Sequence, residues 1–325
     1  MINLVKSSKD VWQITKKTAK AWMEADPFRQ SAVIAYYAIF SIPALLVIII
    51  TCAGFAFGKE AVQGEISNQI GSAIGHDTAK QVEEMIAKVG MQKNSIWATF
   101  ISVVTLILGS TGVFSQLQVS INQIWEVKVT AKKKWLKSIK DRLFSFGLIL
   151  SICFLLLISL LLTAALSAFS EWIKAHLPDF MLYVFKLLNF IISFGAITTL
   201  FALMFKILPD ARIQWKDVII GSIVTGLLFV LGKFLLGIYF GKAQPGSTYG
   251  AAGSVILIML WVSYSCMILF FGAEFTKQSA THFGREITPT KDAELIVNNE
   301  EEQLVADKKE VVKKEEKKEE KKDNR

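Results

Sequence analysis

The chain has few of the residues that build disulfide frameworks or metal centres. Its 325 residues include three cysteines and three histidines. Cys52, Cys153 and Cys266 each stand alone within an apolar run, without the close pairs that disulfide or zinc sites require. The histidines fall in three separate polar connections and form no HExxH-type spacing. We therefore expect no disulfide, no metal site and no cofactor, and we expect that the protein is not an enzyme.

Apolar residues are more abundant than in an ordinary soluble domain. They make up 52% of the chain, which includes 23 Phe, and the mean hydropathy is +0.43. A bilayer core of about 30 Å needs roughly 20 helical residues. The long runs are continuously apolar and do not alternate, which excludes a β-barrel. The sequence predicts an all-α polytopic membrane helical bundle with six transmembrane helices, at 31–57, 95–121, 143–168, 181–207, 218–241 and 251–275.

The distribution of Lys and Arg predicts the orientation of these helices. The N-terminal segment holds six, the 122–142 connection seven and the 206–217 connection three. The alternate connections hold fewer: four at 58–94, two at 169–186 and one at 241–250. Because basic connections stay on the cytoplasmic side, both termini are predicted to be cytoplasmic. The first apolar run starts near residue 31 and is too long for the apolar core of a cleavable signal peptide.

Three segments outside the spans have their own patterns. Residues 1–30 form an amphipathic segment, expected to lie on the anionic inner leaflet or to pack on the cytoplasmic face of the bundle. Residues 58–94, within the 31–277 membrane domain, predict an outer helical connection. Residues 278–325 form a charged tail, rich in Lys and Glu, that we expect to be disordered. The apolar face predicted for residues 1–30 consists of Val11, Trp12, Thr15, Ala19, Trp22 and Met23.

Polar residues within the spans are candidates for a substrate path. Lys233 is an ionisable residue in an apolar span, which is costly and marks a functional position by default. Pro43 removes a backbone hydrogen bond near the middle of the first span, so that helix should bend there. Alternatives are a lysine that extends to the interface and a proline that only shapes packing. The candidates for the path are Tyr36, Tyr37, Pro43, Gln116, Lys233 and Tyr249.

Charged residues gather at the predicted cytoplasmic ends of the spans. Glu274 follows Gly272 and Ala273 near the end of the last span, and Asp26 and Arg29 stand at the entrance to the first. Opposite charges at one end of a bundle can pair as an inner gate or as a structural lock. The candidates for this inner charge cluster are Asp26, Arg29, Arg142, Lys206, Asp210 and Glu274.

An ordered set of motifs over roughly residues 10–280 resembles the YihY/BrkB family of bacterial inner-membrane proteins, formerly labelled ribonuclease BN. The motifs are Asp26 followed by AYYAIFSIPALL, then LPDARIQWKD at 208–217, Lys233 and Tyr239, YGAAGS at 249–254 and LWVSYSCMILFFGAEFTK at 260–277. The resemblance implies a multi-pass protein of the bacterial cytoplasmic membrane. The nuclease label does not fit, because the sequence has no cluster of metal ligands that could activate water.

Two functions remain open from the sequence. In the first, the bundle transports an ion, an anionic solute or a lipid along its polar path. In the second, the protein organises envelope components and transports nothing. Membrane lipids are the expected partners and nucleic acid is not, because positive-inside topology already explains the basic connections. The oligomeric state, the substrate and any coupling ion are left open.

Overall fold

The computed structural model describes residues 8–41, 96–130, 179–243, 253–290 and 292–296, with isolated positions between 58 and 71. This part of the chain is mostly helical, as predicted. The helices are α1 Ser8–Glu24, α2 at 27–41, α3 Ile96–Ile124, α4 Asp179–Ile207, α5 Trp215–Ala243 and α6 Gly253–His282.

Three of the described helices are long and apolar enough to cross a membrane. The apolar stretches are Phe190–Ile207, Trp215–Phe240 and Val255–His282, and they coincide with the predicted fourth, fifth and sixth spans. Helix α3 coincides with the predicted second span and α2 with the start of the first. The predicted third span, 143–168, lies outside the described residues. The total of six spans and the cytoplasmic termini stay predictions.

Four short strands add to the helical architecture. They are β1 Val127–Val129, β2 Ala211–Arg212, β3 Thr288–Pro289 and β4 Ala293–Leu295. β1 pairs antiparallel with β4, and β2 pairs antiparallel with β3. The all-α prediction missed them because segments of two or three residues are too short to show a period of two.

The chain after residue 278, predicted as a charged tail, begins with ordered structure. Helix α6 continues to His282, and Gly284 follows with φ +66°, a left-handed conformation that commonly ends helices. The chain then forms β3 and β4, which pair with β2 and β1. Residues 297–325, which hold most of the Lys/Glu run, lie outside the described residues.

Helix α5 packs between α4 and α6, and its contact with α6 is very close. Gly221 of α5 lies against Thr276 of α6, and Gly272 of α6 lies against Thr225 of α5. Each threonine hydroxyl donates to the glycine carbonyl one turn earlier on its own helix, at 2.6 Å for Thr225 and 2.7 Å for Thr276. The two antiparallel helices therefore share one reciprocal contact in which small residues let the backbones approach.

Not every glycine of α5 makes such a close approach. A Cβ added at Gly237 would meet no atom within 4 Å, whereas Gly226 lies against Phe194 and Gly232 lies against Tyr264. The spacing of glycines in the sequence shows where two helix backbones could approach closely. Which of these glycines lie in a helix contact depends on where the neighbouring helices cross.

Helix α1 packs along the second half of α6 in the opposite direction. The indole Nε1–H of Trp22 donates to the carbonyl of Met267 at 3.1 Å. At the other end of α1, Asp10 Oδ1 lies 3.8 Å from His282 Nε2. Ile14 and Thr18 are buried in this contact. Of the alternatives for residues 1–30, packing on the bundle is therefore observed for α1, and Trp22 is the residue of the predicted apolar face that takes part in it. Trp12 and Met23 remain exposed.

Candidate functional site

The described polar side chains concentrate where the basic connections meet the bundle. We call this region the inner end: residues 24–31, 118–130, 204–218 and 272–296. It contains the starts of α2 and α5, the ends of α3, α4 and α6, and all four strands. The predicted spans alternate in direction, and this topology places the same helix starts and ends together on one side of the bundle.

Asp210, in the loop between α4 and α5, is the centre of a group of hydrogen bonds at the inner end. Its Oδ2 accepts from Asn122 Nδ2 at 2.9 Å and from Gln118 Nε2 at 3.0 Å. Its own backbone N–H donates to Asn122 Oδ1 at 2.8 Å. Its carbonyl accepts from Thr290 N–H at 2.9 Å. The Asp210 carboxylate thus joins the α4–α5 loop to α3 and to the segment after α6.

Asp217 and Arg285 form a second polar group, which the sequence analysis did not identify. The Asp217 side chain is 1% exposed and lies in the first turn of α5, where the helix dipole favours negative charge. Arg285 Nε donates to both carboxylate oxygens, at 2.9 and 3.0 Å. The sequence shows an acid at the start of one helix and a base after the end of the next, but only the packing of α5 against α6 makes them partners.

Glu274 and Lys277 form a third group, on one turn of α6. Glu274 is 2% exposed, and its Oε1 accepts from Gln278 Nε2 at 2.8 Å. The Lys277 ammonium donates to the carbonyl of Ile124 at 2.9 Å and lies 3.0 Å from Glu126 Oε1. The Lys277 ammonium therefore binds the carboxyl-terminal end of α3. Nearby, the indole of Trp125 donates to the carbonyl of Ala273 at 3.0 Å.

The predicted inner charge cluster is thus divided into separate groups. Asp26 pairs with Arg29 at 2.6 Å, and both side chains are exposed. Lys206 donates to the carbonyl of Ile213 and lies 5.4 Å from the centre of the Trp215 ring. In the described residues Glu274 pairs with neither Arg29 nor Lys206. Each of the three has a nearer partner: the amide of Gln278 for Glu274, the Asp26 carboxylate for Arg29 and the Ile213 carbonyl for Lys206. Arg142 lies outside the described residues.

The path candidates occupy two different places. The Tyr37 ring lies against Gly112, and Gly109 lies against Ser41, so α2 and α3 approach closely there. The Tyr36 ring is exposed and lies 5.3 Å from the Phe40 ring one turn along the same helix. Pro43 and Tyr249 lie outside the described residues.

Gln116 and Lys233 are both half-buried, on α3 and α5 respectively. Lys233 lies 18 residues beyond the start of α5, or roughly 27 Å along the helix. Among the described residues, no carboxylate forms a salt bridge with Lys233. Lys233 therefore carries a charge within an apolar helix, and none of the described acids is its counter-charge.

Within the part of the chain that the structure describes, two buried polar atoms near the start of α2 and the end of α3 have no hydrogen-bond partner. They are Gln30 Oε1 and Ser120 Oγ. The amide nitrogen of Gln30 is satisfied, because it donates to the carbonyl of Ala25 at 2.6 Å. Unpaired buried acceptors are costly and call for a partner such as water or a ligand group.

Comparison with known proteins identifies the family. A family model described as Virulence factor BrkB matches residues 18–296. The chain is similar to a UPF0761 membrane protein of Tolumonas auensis, with 28% identity over 188 residues that cover 57% of this chain and 58% of that protein. It is also similar to a UPF0761 membrane protein of Pseudoalteromonas atlantica, with 24% identity over 78% of this chain and 81% of that protein.

These relatives differ in how much of their length the chain spans. For a UPF0761 membrane protein of Teredinibacter turnerae, 22% identical, the match covers 83% of this chain but 61% of that protein. No solved structure matches the chain significantly. Because the family model covers most of the sequence, including the inner end and the motifs around Lys233, the chain belongs to the BrkB family of membrane proteins.

Proposed function

We propose that this protein transports an anionic solute or an anionic lipid across the bacterial cytoplasmic membrane, with Lys233 as the charge that binds it. The observation that carries the proposal is the position of Lys233. It is half-buried on α5, within an apolar stretch that is long enough to cross a membrane. Lys233 lies past the middle of this stretch, and an ionisable side chain within a membrane span is costly and marks a functional position by default.

The partners of the described acids support an anion as the counter-charge. Asp217 is taken by Arg285, and Asp210 is held by the amides of Asn122 and Gln118. Both acids lie at the inner end, far along α5 from Lys233. A mobile anion in the path is therefore the group that would neutralise the lysine in this proposal.

In this proposal the other path candidates complete the route. Two observations support a route near the α2–α3 contact: Tyr37 lies beside Gly112, and Gln30 Oε1 is buried without a hydrogen-bond partner among the described residues. Gln116, Pro43 and Tyr249 complete the proposed set of contacts, and Tyr36 is left out of it because its side chain is exposed on the outer surface of α2. The hydrogen-bonded inner end closes the cytoplasmic side of the path, and it must loosen for the anion to leave.

Flux through reconstituted protein tests this proposal. Proteoliposomes would be assayed in parallel for an organic anion, for fluorescent phosphatidylglycerol, for protons and for sodium. We expect anion or lipid flux with wild-type protein, loss of that flux in Lys233→Met, and no loss in Lys242→Met. Lys242 is the matched control, because it is an exposed lysine on the same helix.

Two results would contradict the proposal. Normal flux in Lys233→Met would remove the lysine from the mechanism. Silence of the wild-type protein in all four assays would favour the alternative, a membrane protein that organises envelope components and transports nothing.

A further inference from the structure

Helix α1 has an exposed apolar side that its packing on α6 leaves uncovered. With 100° between successive residues, Ile14 and Thr18 lie on the side that faces α6 and are buried. Trp12, Ala19 and Met23 lie together on a neighbouring side of the helix. Trp12 is 70% exposed and Met23 is 56% exposed. We call these three residues the α1 stripe.

Two lysines border the α1 stripe on the side away from α6. Lys16 and Lys20 are four residues apart, so they stand one above the other along the helix, with Cβ atoms about 5–6 Å apart. Both are exposed. Lys20 also lies 3.8 Å from Glu24, but an ion pair between two exposed side chains is weak and gives way easily. Two ammonium groups at this spacing match one phosphate.

The α1 stripe is also adjacent to exposed aromatic residues of α2. The Trp22 ring, which borders the stripe, lies 6.2 Å from the ring of Phe28 at the start of α2. Phe28 is exposed, as are Tyr36 and Phe40 farther along α2. Helix α2 coincides with the start of the first predicted span, so we expect this apolar surface to face lipid. The exposed side chains of α1 and α2 therefore form one continuous apolar surface near the start of the first predicted span.

We propose that α1 is a binding site for an anionic phospholipid of the inner leaflet. Lys16 and Lys20 bind the lipid phosphate, and Trp12 and Met23 insert among the headgroups beside it. Aromatic residues prefer this depth, and basic amphipathic helices with an apolar side bind anionic membrane surfaces. The site is independent of the transport proposal, because it uses neither Lys233 nor the interior of the bundle.

Lipid-dependent thermal stabilisation of the full chain in detergent tests the site. Added phosphatidylglycerol should raise the unfolding temperature, because a ligand that binds only the folded state stabilises it, and phosphatidylcholine should not. We expect the double variant Lys16→Gln/Lys20→Gln to bind phosphatidylglycerol roughly 30-fold more weakly, from the usual contribution of each lysine near an anionic surface. Trp12→Gln should weaken binding as well.

The control is Lys17→Gln/Lys216→Gln, which removes the same charge from two other exposed lysines near the inner end. It should keep the wild-type affinity. Unfolding temperatures measured without added lipid check that both double variants fold. Equal weakening in the control would overturn the site in favour of a general charge effect. Equal stabilisation by phosphatidylcholine or by inorganic phosphate would overturn the assignment to an anionic lipid.

Discussion

The guanidinium of Arg285 and the carboxylate of Asp217 hold the start of α5 against the chain that leaves α6. Three hydrogen bonds join the two groups, of which the shortest is 2.5 Å, from Nη2 to Oδ1. The Asp217 side chain is buried and that of Arg285 is 22% exposed. The pair therefore fastens two antiparallel helices at one end of the bundle.

Removing the guanidinium should destabilise the protein strongly. Arg285→Met leaves the Asp217 carboxylate buried without its counter-charge, and breaking a buried pair in this way costs roughly 3–5 kcal/mol. Thermal unfolding in detergent measures the effect. Arg212→Met is the control, because Arg212 is an exposed arginine at the inner end. Equal unfolding temperatures for the two variants would show that the pair contributes little to stability.

Adding a methyl group at Gly221 should separate α5 from α6. A Cβ at Gly221 would overlap the hydroxyl of Thr276, and overpacking of this kind costs roughly 1–3 kcal/mol. Gly221→Ala should therefore lower the unfolding temperature, and Thr276→Ala added to it should restore part of the loss. Gly237→Ala, where a Cβ has open space, should be neutral or stabilising. A loss at Gly237 equal to that at Gly221 would contradict the observed crossing point.

Truncating Asn122 should loosen the loop between α4 and α5. Asn122→Ala removes one donor to the Asp210 carboxylate and the acceptor for its backbone N–H. Leaving such buried groups unpaired costs about 1–3 kcal/mol. Limited proteolysis in this loop and thermal unfolding would both report the change. Gln123→Ala is the control, because Gln123 is the exposed neighbour on the same helix. Faster cleavage in both variants would assign the effect to α3 as a whole.

Replacing Trp22 should weaken the attachment of α1 to α6. Trp22→Phe keeps an aromatic ring but loses the hydrogen bond to Met267, which contributes roughly 0.5–1.5 kcal/mol. Hydrogen exchange of the α1 amides should become faster, while that of the α5 amides stays unchanged. In detergent without added lipid, Trp12→Phe should leave exchange in α1 as it is, because the Trp12 ring is exposed. No change in Trp22→Phe would show that apolar packing alone attaches α1.

The sequence was sufficient for features that repeat over many residues. Apolar runs longer than about 20 residues predicted helices where α3, α4, α5 and α6 are found. Periodicity also predicted that the first thirty residues contain a helix. It failed to choose the buried face of α1, because Trp12 and Trp22 are equally apolar and only the position of α6 decides between them.

Partners at the inner end were harder to predict, because they depend on which helix ends meet. Asp26 and Arg29 are three residues apart and their pairing was visible. Asp217 and Arg285 are 68 residues apart, and nothing local marks them as partners. Glu274 takes the amide of Gln278 on its own helix, so its expected distant base was not needed.

The reciprocal contact between glycine and threonine restricts how the bundle can change shape. Sliding α5 along α6 in either direction would drive the side chain of Thr225 or Thr276 against a neighbouring helix backbone. With the Arg285–Asp217 pair closing one end, the two helices form a single stiff hairpin. Any rearrangement of the inner end must then come from movement of α1, α2, α3 or α4 against this hairpin, and not from within it.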